Sequence, residues 1–325
     1  MSKTQCDAAG LDKYAVGRLL RNGTWTRVTR CVYDTDPVPV ERRRRDDYHD
    51  HVRRRAAWIG MLAVPDGIAT GVCALALHGL AGLPARLVPE AARPQGKDVA
   101  VSDGVVLRRY TPFPVERYRG RRIAALPHAL AQALPHLTRD EAVAVLSNAL
   151  HEGHLDAGGM QRVRELVRGR RGAATVHGWF GLVEARDASP AETATRLSCI
   201  DQGVPPDGQQ VTFTSDGVFL GRVDFVWRLP DGRYLVVEID GRAFHSGAAM
   251  LADDSLRQNG LIGTDRLIVL RFPATRSLAD GGVGQEIAER LASLHWKPNP
   301  LHQAPVTLPL PLASSRLASS RRRAP

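Results

Sequence analysis

Residues 221–241 constrain the fold of this 325-residue chain more than any other stretch. Two apolar runs rich in β-branched and aromatic residues, 223–227 and 235–239, flank Asp231 and Gly232. Such runs around an Asp-Gly pair are typical of a β-hairpin. We therefore predict a hairpin on which the C-terminal part of the chain is built.

Three acids occupy the two predicted strands of this hairpin. Asp224 lies inside the first strand, and Glu238 and Asp240 share one face at the end of the second, because side chains alternate with period 2. A turn at Asp231 and Gly232 brings Asp224 within a residue of both. Since opposed like charges destabilise a sheet, the pattern indicates a compensating cation. A divalent metal suits oxygen ligands.

Length and charge narrow the class of protein. The length predicts two or three domains, and the formal net charge of +10 favours a polyanionic partner such as nucleic acid. A basic protein with arginine-rich solvated faces is the alternative. The four cysteines form no CxxC pair and indicate a reducing compartment. Without a signal sequence or an 18-residue apolar run, the chain is expected in the cytoplasm, with no membrane partner.

The first 36 residues carry helix-turn-helix signals. Two short helical segments, 3–9 and 12–21, are separated by Gly10, and residues 25–33 alternate as a wing strand does. The basic side chains expected to contact phosphates are Arg18 and Arg21 on the second helix and Arg27 and Arg30 on the wing. A small helical lid on the next domain is the alternative.

Residues 9–33 resemble the N-terminal winged helix of AbiEi-type antitoxin proteins, in which a helix ends at a Gly before an aromatic and basic strand. The resemblance implies a degenerate winged helix-turn-helix over residues 1–36. A basic linker, 37–55, is expected to follow, and its arginines either form a solvated face or follow a phosphate backbone.

Residues 56–185 are predicted to form a mixed α/β middle domain. Apolar periodicity favours helices over 70–80, 127–134, 139–151 and 160–167, and Thr138 with Glu141 forms a capping box. A hairpin is expected over 99–107. Residues 73–79 resemble the middle segment of the same antitoxin-like family, which implies a scaffolding role.

Residues 186–296 predict the order α-β-β-β-α-β followed by a closing helix. Ser189, Pro190 and Glu192 mark a helix start, and three strands follow over 209–214, 218–227 and 233–240. A crossover helix over 248–262 leads to residues 266–272, whose four consecutive apolar residues are typical of a central strand. The tail, 297–325, is expected to be disordered and basic.

This order of elements resembles the PD-(D/E)XK nuclease superfamily, and more closely the endonuclease-domain family related to very-short-patch-repair (Vsr) nucleases. The matching residues are Ser189, Pro190, Glu192, 222–225, 237–241, His245, 254–257 and 269–272. The resemblance implies an α/β protein with a restriction-endonuclease-like core. It assigns Asp224 and Glu238 to a Mg²⁺ or Mn²⁺ ion whose bound water attacks a phosphodiester.

Further residues receive roles from the same resemblance, each beside a structural alternative. Asp240 stands where the broader superfamily has Lys. Glu192 either holds metal or water or only caps its helix, and His245 either carries a proton or is structural. Arg257 either contacts phosphate or pairs with Asp254. Arg222 and Arg242 would form the positive walls of a DNA groove.

The sequence thus predicts a metal-dependent DNA endonuclease guided by an N-terminal DNA-binding module. The alternative is an antitoxin-like, DNA-binding transcriptional regulator whose nuclease fold is catalytically inactive. A toxin-like or RNA-directed nuclease is a third hypothesis. A partner toxin and a homodimer are the protein partners that these hypotheses leave open.

Overall fold

The computed structural model describes residues 1–36, 38–43, 47–93, 104–215, 218–240, 266–298 and 306–307. The chain has the mixed α/β class that the sequence predicts and divides into two compact units, Met1–Val183 and Glu184–Pro325. In the parts of the chain described, no helix is both long and apolar enough to cross a membrane.

The first unit begins with two capped helices, α1 (Lys3–Ala8) and α2 (Lys13–Arg21), followed by strands β1 (Thr26–Thr29) and β2 (Val32–Asp34). Ser2 and Gln5 form a capping box on α1, and the Asp12 carboxylate caps α2. The buried side chains Cys6, Val16 and Tyr33 form a small core between these elements.

The prediction of a single strand over residues 25–33 is wrong. β1 and β2 pair antiparallel as a hairpin, with Thr29 opposite Val32 and a turn at Arg30 and Cys31. A two-residue turn by itself shifts the period-2 alternation by one residue, but the register shift between Arg27 and Thr29 puts Arg27 opposite Tyr33 and cancels that shift. Periodicity alone therefore does not reveal the turn.

Helices occupy much of the segment expected to be a linker. The short helix α3 (Val40–Arg43) precedes the sixteen-residue helix α4 (Tyr48–Ala63), which buries Ala56, Ala57 and Met61. Four of the five arginines described in this segment, Arg43, Arg53, Arg54 and Arg55, have defined partners. Arg53, for example, donates to the carbonyl groups of Leu83 and Pro84.

The described residues of the first unit also contain a five-stranded sheet and five more α-helices. The strands lie in the order β5-β4-β3-β7-β6, with bounds β3 Ile68–Ala69, β4 Glu90–Ala92, β5 Val106–Arg108, β6 Val115–Tyr118 and β7 Arg121–Ala124. The helices are α5 Gly71–His78, α6 Leu126–Ala133, α7 Arg139–His151, α8 Ala157–Val167 and α9 Ala173–Trp179. Thr138 and Glu141 form the predicted capping box. The hairpin expected over 99–107 falls largely outside the described residues, and β5 pairs parallel with β4.

The second unit contains the predicted hairpin. Its elements are α10 Pro190–Asp201, β8 Gly208–Ser215, β9 Val218–Arg228, β10 Tyr234–Asp240, β11 Leu267–Pro273, α12 Ala274–Ser277, α13 Gly284–Ser293 and β12 Val306–Thr307. The sheet order is β11-β10-β9-β8-β12, with β10 and β11 parallel and the β9–β10 hairpin antiparallel. The crossover helix expected over 248–262 lies outside the described residues.

Two hydrophobic clusters form around this second sheet. One contains Phe225 and Trp227 together with Cys199 of α10 and Ile287 of α13, so the two helices cover that side. The other cluster contains Phe213, Val223, Val226 and Val236. Part of the tail expected to be disordered pairs with this sheet, since β12 lies parallel to β8. The remaining tail residues from 299 onward lie outside the described part of the chain.

Candidate functional site

The start of α10 carries a carboxylate that does more than cap the helix. Ser189 is the N-cap, and its hydroxyl accepts from the Glu192 backbone N–H at 3.2 Å and donates to Glu192 Oε1 at 3.0 Å. The Ala188 N–H donates to Glu192 Oε2 at 3.1 Å. The predicted cap is confirmed, and Glu192 is only 7% exposed. Burial at this helix end directs its carboxylate toward the sheet.

Gln210 of β8 connects Glu192 to Asp224 of β9. Its side-chain Nε2 donates to Glu192 Oε2 at 2.9 Å and to Asp224 Oδ1 at 3.1 Å. Because one nitrogen contacts both oxygens, those oxygens lie no more than about 6 Å apart. A buried carboxyl from the helix and a half-buried carboxyl from the sheet therefore share one amide.

The faces of β8 and β9 reverse at this point. In β9, Val223 packs with Val226, whereas Phe225 packs in the helix-covered cluster. In β8, Gln209 donates to Asp187 beside α10, whereas Val211 packs against the opposite cluster. Regular strands put residues an even number apart on one face, so the alternation is interrupted in both strands at Gln210 and Asp224.

The backbone of Gln210 accounts for the reversal. Its φ is +50°, a left-handed conformation that costs energy for a residue with a side chain. The register of β8 and β9 pairs Gln209 with Phe225 and Val211 with Val223, which puts Gln210 opposite Asp224. The irregular residue thus lies beside the acid that it holds.

The second carboxylate oxygen of Asp224 accepts a hydrogen bond from the backbone at the point where the two hairpin strands separate. Oδ2 accepts from the Ile239 backbone N–H at 2.8 Å. The β9–β10 pairs run from Tyr234 and Arg228 to Val237 and Phe225, while β10 continues alongside β11 as far as Asp240. The Asp224 side chain therefore accepts the hydrogen bond that a β9 carbonyl group would accept if β9 and β10 were still paired at Ile239.

The environment raises the pKa of both acids in this cluster. Burial, and then the nearby negative charge of Asp224, raise the pKa of Glu192 from 4.5 to about 7. Burial also raises the pKa of Asp224, although the hydrogen bonds from the Ile239 N–H and Gln210 and the charge of Arg222 oppose that rise. Protons or a bound cation would stabilise the pair.

The other two predicted acids have different surroundings. Glu238 accepts from Arg271 Nε at 2.9 Å, and the parallel register pairs these same two residues. The hairpin register ends at Val237 and Phe225, one residue before Glu238 and Asp224, and the ion-pair partner of Glu238 is Arg271. Asp240 is exposed at the strand end. Within the described ranges, no group of three or more His, Cys, Asp or Glu side chains could hold a metal ion.

The structure describes some of the basic residues predicted to contact nucleic acid and leaves others outside its described ranges. Arg222 is exposed on β9, beside the acid cluster. In the first unit Arg18, Arg21, Arg27 and Arg30 are all exposed, and the Arg27 guanidinium lies 6.0 Å from the Tyr33 ring centre. Three predicted site residues, His245, Arg242 and Arg257, lie outside the described residues.

Sequence reasoning missed Gln210. The register could have found it, because a polar residue opposite a strand acid is a direct cross-strand neighbour. Its left-handed backbone had no such signal, since Gly and Asn are the residues usually found there. Arg271 was missed although it follows four apolar strand residues.

Comparison with known proteins identifies distant relatives only. Two curated proteins of Mycobacterium tuberculosis, from strains CDC 1551 and H37Rv and both named as uncharacterized, are each 28% identical over 154 residues. The match covers 47% of this chain, and the chain spans only 56% of the length of each relative. No family model and no solved structure matches the chain.

The raised pKa of Glu192 predicts a pH-dependent stability. Between pH 4.5 and about 7 the folded chain holds a proton that the unfolded chain has lost, so the free energy of unfolding falls as pH rises. Glu192→Gln removes this dependence, and its stability relative to wild type is expected to increase by up to about 3 kcal/mol between pH 5 and 8. Urea unfolding of both proteins across this range measures the difference.

A matched comparison uses Glu289→Gln, an exposed glutamate on α13. That variant should follow the wild-type pH profile. Parallel profiles for wild type and Glu192→Gln would contradict the raised pKa of Glu192.

Proposed function

We propose that this protein is a metal-dependent endonuclease that hydrolyses phosphodiester bonds in DNA. The observation that carries the proposal is the Glu192–Gln210–Asp224 cluster, in which one amide donates to a buried and a half-buried carboxylate. Clustered acids with perturbed pKa values are more common at functional sites than elsewhere. The resemblance of the surrounding motifs to Vsr-like nucleases points to the same chemistry.

The cluster fits a divalent cation by its chemistry. Mg²⁺ and Mn²⁺ prefer carboxylate and carbonyl oxygens, and Glu192 and Asp224 supply the carboxylates. Gln210 also carries a side-chain carbonyl that a rotation about its last bond would turn toward a cation. When bound, the metal would activate a water for attack and offset charge on the phosphate. Glu238 and the Ile239 carbonyl stay as further predicted ligands.

The protein's own residues would orient the Asp224 carboxylate and carry a proton. Gln210 and the Ile239 N–H fix both oxygens of Asp224, so its carboxylate needs little reorganisation before use. Glu192, with a pKa of about 7, can accept or hold a proton at neutral pH. Arg222 supplies positive charge beside the acids, where a phosphate backbone would lie.

DNA is the proposed substrate because basic residues exceed acidic ones by ten and exposed arginines cluster in residues 18–30. Replacing Arg18, Arg21, Arg27 and Arg30 together with Gln should lower DNA affinity at low salt. It should also reduce the slope of log affinity against log salt by about 3.6, because four phosphate contacts are lost and roughly 0.9 of a counterion is released per contact. Fluorescence anisotropy at several salt concentrations measures the slope.

A control variant carries Arg168→Gln and Arg171→Gln, two arginines that are exposed elsewhere in the first unit. It removes two positive charges, half as many as the fourfold variant, so the losses are compared per arginine. An equal loss per arginine in this control would mean that only total charge matters. That result would remove residues 18–30 as the DNA-binding element.

The direct test is plasmid cleavage by purified protein. Nicked or linear product is expected with Mg²⁺ or Mn²⁺ and none with excess chelator. An RNA substrate tested in parallel separates the DNA-directed nuclease from the RNA-directed one. A lack of cleavage of any DNA with any divalent metal would contradict the proposal.

A second candidate is a DNA-binding regulator of the antitoxin-like kind that has lost catalysis. The ion pair between Glu238 and Arg271 favours it, because that carboxylate already has a cationic partner. The Asp240 side chain, at the place of the superfamily lysine, adds negative charge instead of positive charge. This candidate predicts DNA binding that is independent of metal, without cleavage.

A further inference from the structure

A cavity of about 520 Å³ lies within the first unit. The β1–β2 hairpin, the helices α3 and α4, and the turn between β6 and β7 all contribute to its wall. Small-molecule sites in proteins commonly have volumes of about 300–1,000 Å³. The cavity is therefore large enough for a nucleotide-sized ligand.

Positive charge dominates the wall of this cavity. Four arginines line it against two aspartates, namely Arg43, Arg54, Arg55 and Arg119 against Asp34 and Asp47. Arg43 and Arg55 share a single oxygen, Asp34 Oδ2, at 2.9 and 3.0 Å, while Arg54 pairs with Asp47 at 2.9 Å. Asp36, outside the wall, also pairs with Arg43 at 3.1 Å, so three carboxylates balance these three guanidinium groups. The charge left for an anion is that of Arg119.

Arg119 adds a fourth guanidinium on an irregular backbone. It occupies the two-residue loop between Tyr118 and Arg121, with φ +46° at Arg119 and +78° at Gly120. Asn or Gly is usual at the first of these positions. Among the residues that the structure describes, no carboxylate forms an ion pair with Arg119. Strained backbone is retained most often at functional positions, and here it holds a charged side chain at the cavity wall.

Aromatic rings occupy the same wall. Trp58 and Tyr118 are both half-buried, with ring centres 6.4 Å apart, and the Arg119 guanidinium lies 5.7 Å from the Tyr118 ring centre. Aromatic faces and arginine planes stack readily on nucleobases. The wall therefore combines surfaces for a planar ring with cations for a phosphate.

We propose that this cavity binds a 5′-phosphorylated nucleotide, with its phosphate at the arginines and its base against Trp58 and Tyr118. Such a nucleotide has two sources, a free nucleoside monophosphate or the 5′ end of a nucleic-acid strand. In either case the ligand would contact the β1–β2 hairpin, α4 and the β6–β7 turn at once. Binding would therefore hold the hairpin and α4 in place against the β6–β7 turn.

Isothermal titration of the full chain with AMP tests the proposal. AMP is expected to bind at least about tenfold more tightly than adenosine or inorganic phosphate, because each lacks one half of the contacts. Equal affinity for AMP and for phosphate, or no binding of AMP and of phosphorylated strands alike, would overturn it. Short oligonucleotides with and without a 5′ phosphate form a second arm. A preference for the phosphorylated strand over AMP assigns the strand end as the source, and the reverse assigns the free nucleotide.

A paired variant separates binding from folding. Arg119→Asn removes the cation and supplies a residue suited to the left-handed turn, so AMP affinity should fall about tenfold without a lower unfolding temperature. Arg117→Gln, an exposed arginine on β6 that does not line the cavity, should leave the affinity unchanged. Unchanged affinity in Arg119→Asn, or an equal loss in Arg117→Gln, would overturn the assignment.

Discussion

Asp224→Asn is expected to reduce metal-dependent cleavage of DNA by about 10²–10³-fold, a loss typical of removing one preorganised electrostatic group. The substitution keeps the shape of the side chain and an oxygen that can accept from the Ile239 N–H. It removes the negative charge that would attract the cation. Single-turnover cleavage of a labelled duplex, with Mg²⁺ titrated for each protein, measures the loss.

Two controls make this result interpretable. Asp231→Asn changes an exposed acid in the same hairpin, at the turn, and should cleave like wild type. Circular dichroism and DNA binding without metal should match among all three proteins. Full cleavage by Asp224→Asn would mean that the activity resides elsewhere in the chain or in a contaminant.

Asp187→Ala is expected to lower the free energy of unfolding of the second unit by about 3 kcal/mol, since it removes one partner of a buried ion pair. The Asp187 side chain is fully buried and that of Arg196 is 8% exposed, with Arg196 Nη2 at 2.6 Å from Asp187 Oδ2. The same carboxylate also accepts from the Thr193 hydroxyl and from the Gln209 amide. Hydrogen exchange of the β8–β10 amides, together with urea unfolding of the full chain, measures the loss.

Asp280→Ala provides the matched control, because it changes an exposed aspartate of the same unit. A second comparison adds Arg196→Met to Asp187→Ala. Removing both charges should restore part of the lost stability, since a buried charge without its partner costs more than the absent pair. An Asp187→Ala protein as stable as wild type would contradict the buried-pair argument.

Local patterns in the sequence predict the elements of the second unit well. The Asp-Gly turn with flanking β-branched residues specifies the β9–β10 hairpin, and Ser189 with Pro190 specifies the start of α10. The four apolar residues of β11 correctly predict a strand, but the expectation of a central strand is wrong, because β11 is the last of the described strands in the sheet and pairs with β10 alone. In each case the decisive information lies within about ten residues of sequence.

The candidate site depends on contacts that local patterns do not contain. Period-2 alternation predicts that Asp224 shares a face with its cross-strand neighbours, yet the reversal at Gln210 joins it to Glu192 on α10. A left-handed glutamine inside a strand carries no propensity signal. The ion pairs Glu238–Arg271 and Asp187–Arg196 likewise depend on tertiary structure and cannot be read from the local sequence.

The first unit shows a similar limit. The described arginines of the segment expected to be a linker lie in α3 and α4, and several of them pair with Asp34, Asp47 and nearby carbonyl groups. Composition alone cannot distinguish a solvated run from a helix whose charges have partners. The apolar spacing of Ala57 and Met61 in α4 is the signal that composition masked.

The pairing of β12 with β8 has a consequence for how the chain behaves in solution. Among the strands that the structure describes, β8 would otherwise be the edge of the sheet, and a row of open backbone donors and acceptors invites strand addition from another molecule. Val306 and Thr307 cover that row at Phe213 and Thr214. A version of the chain shortened before residue 306 would expose the β8 edge, and self-association would then increase with protein concentration.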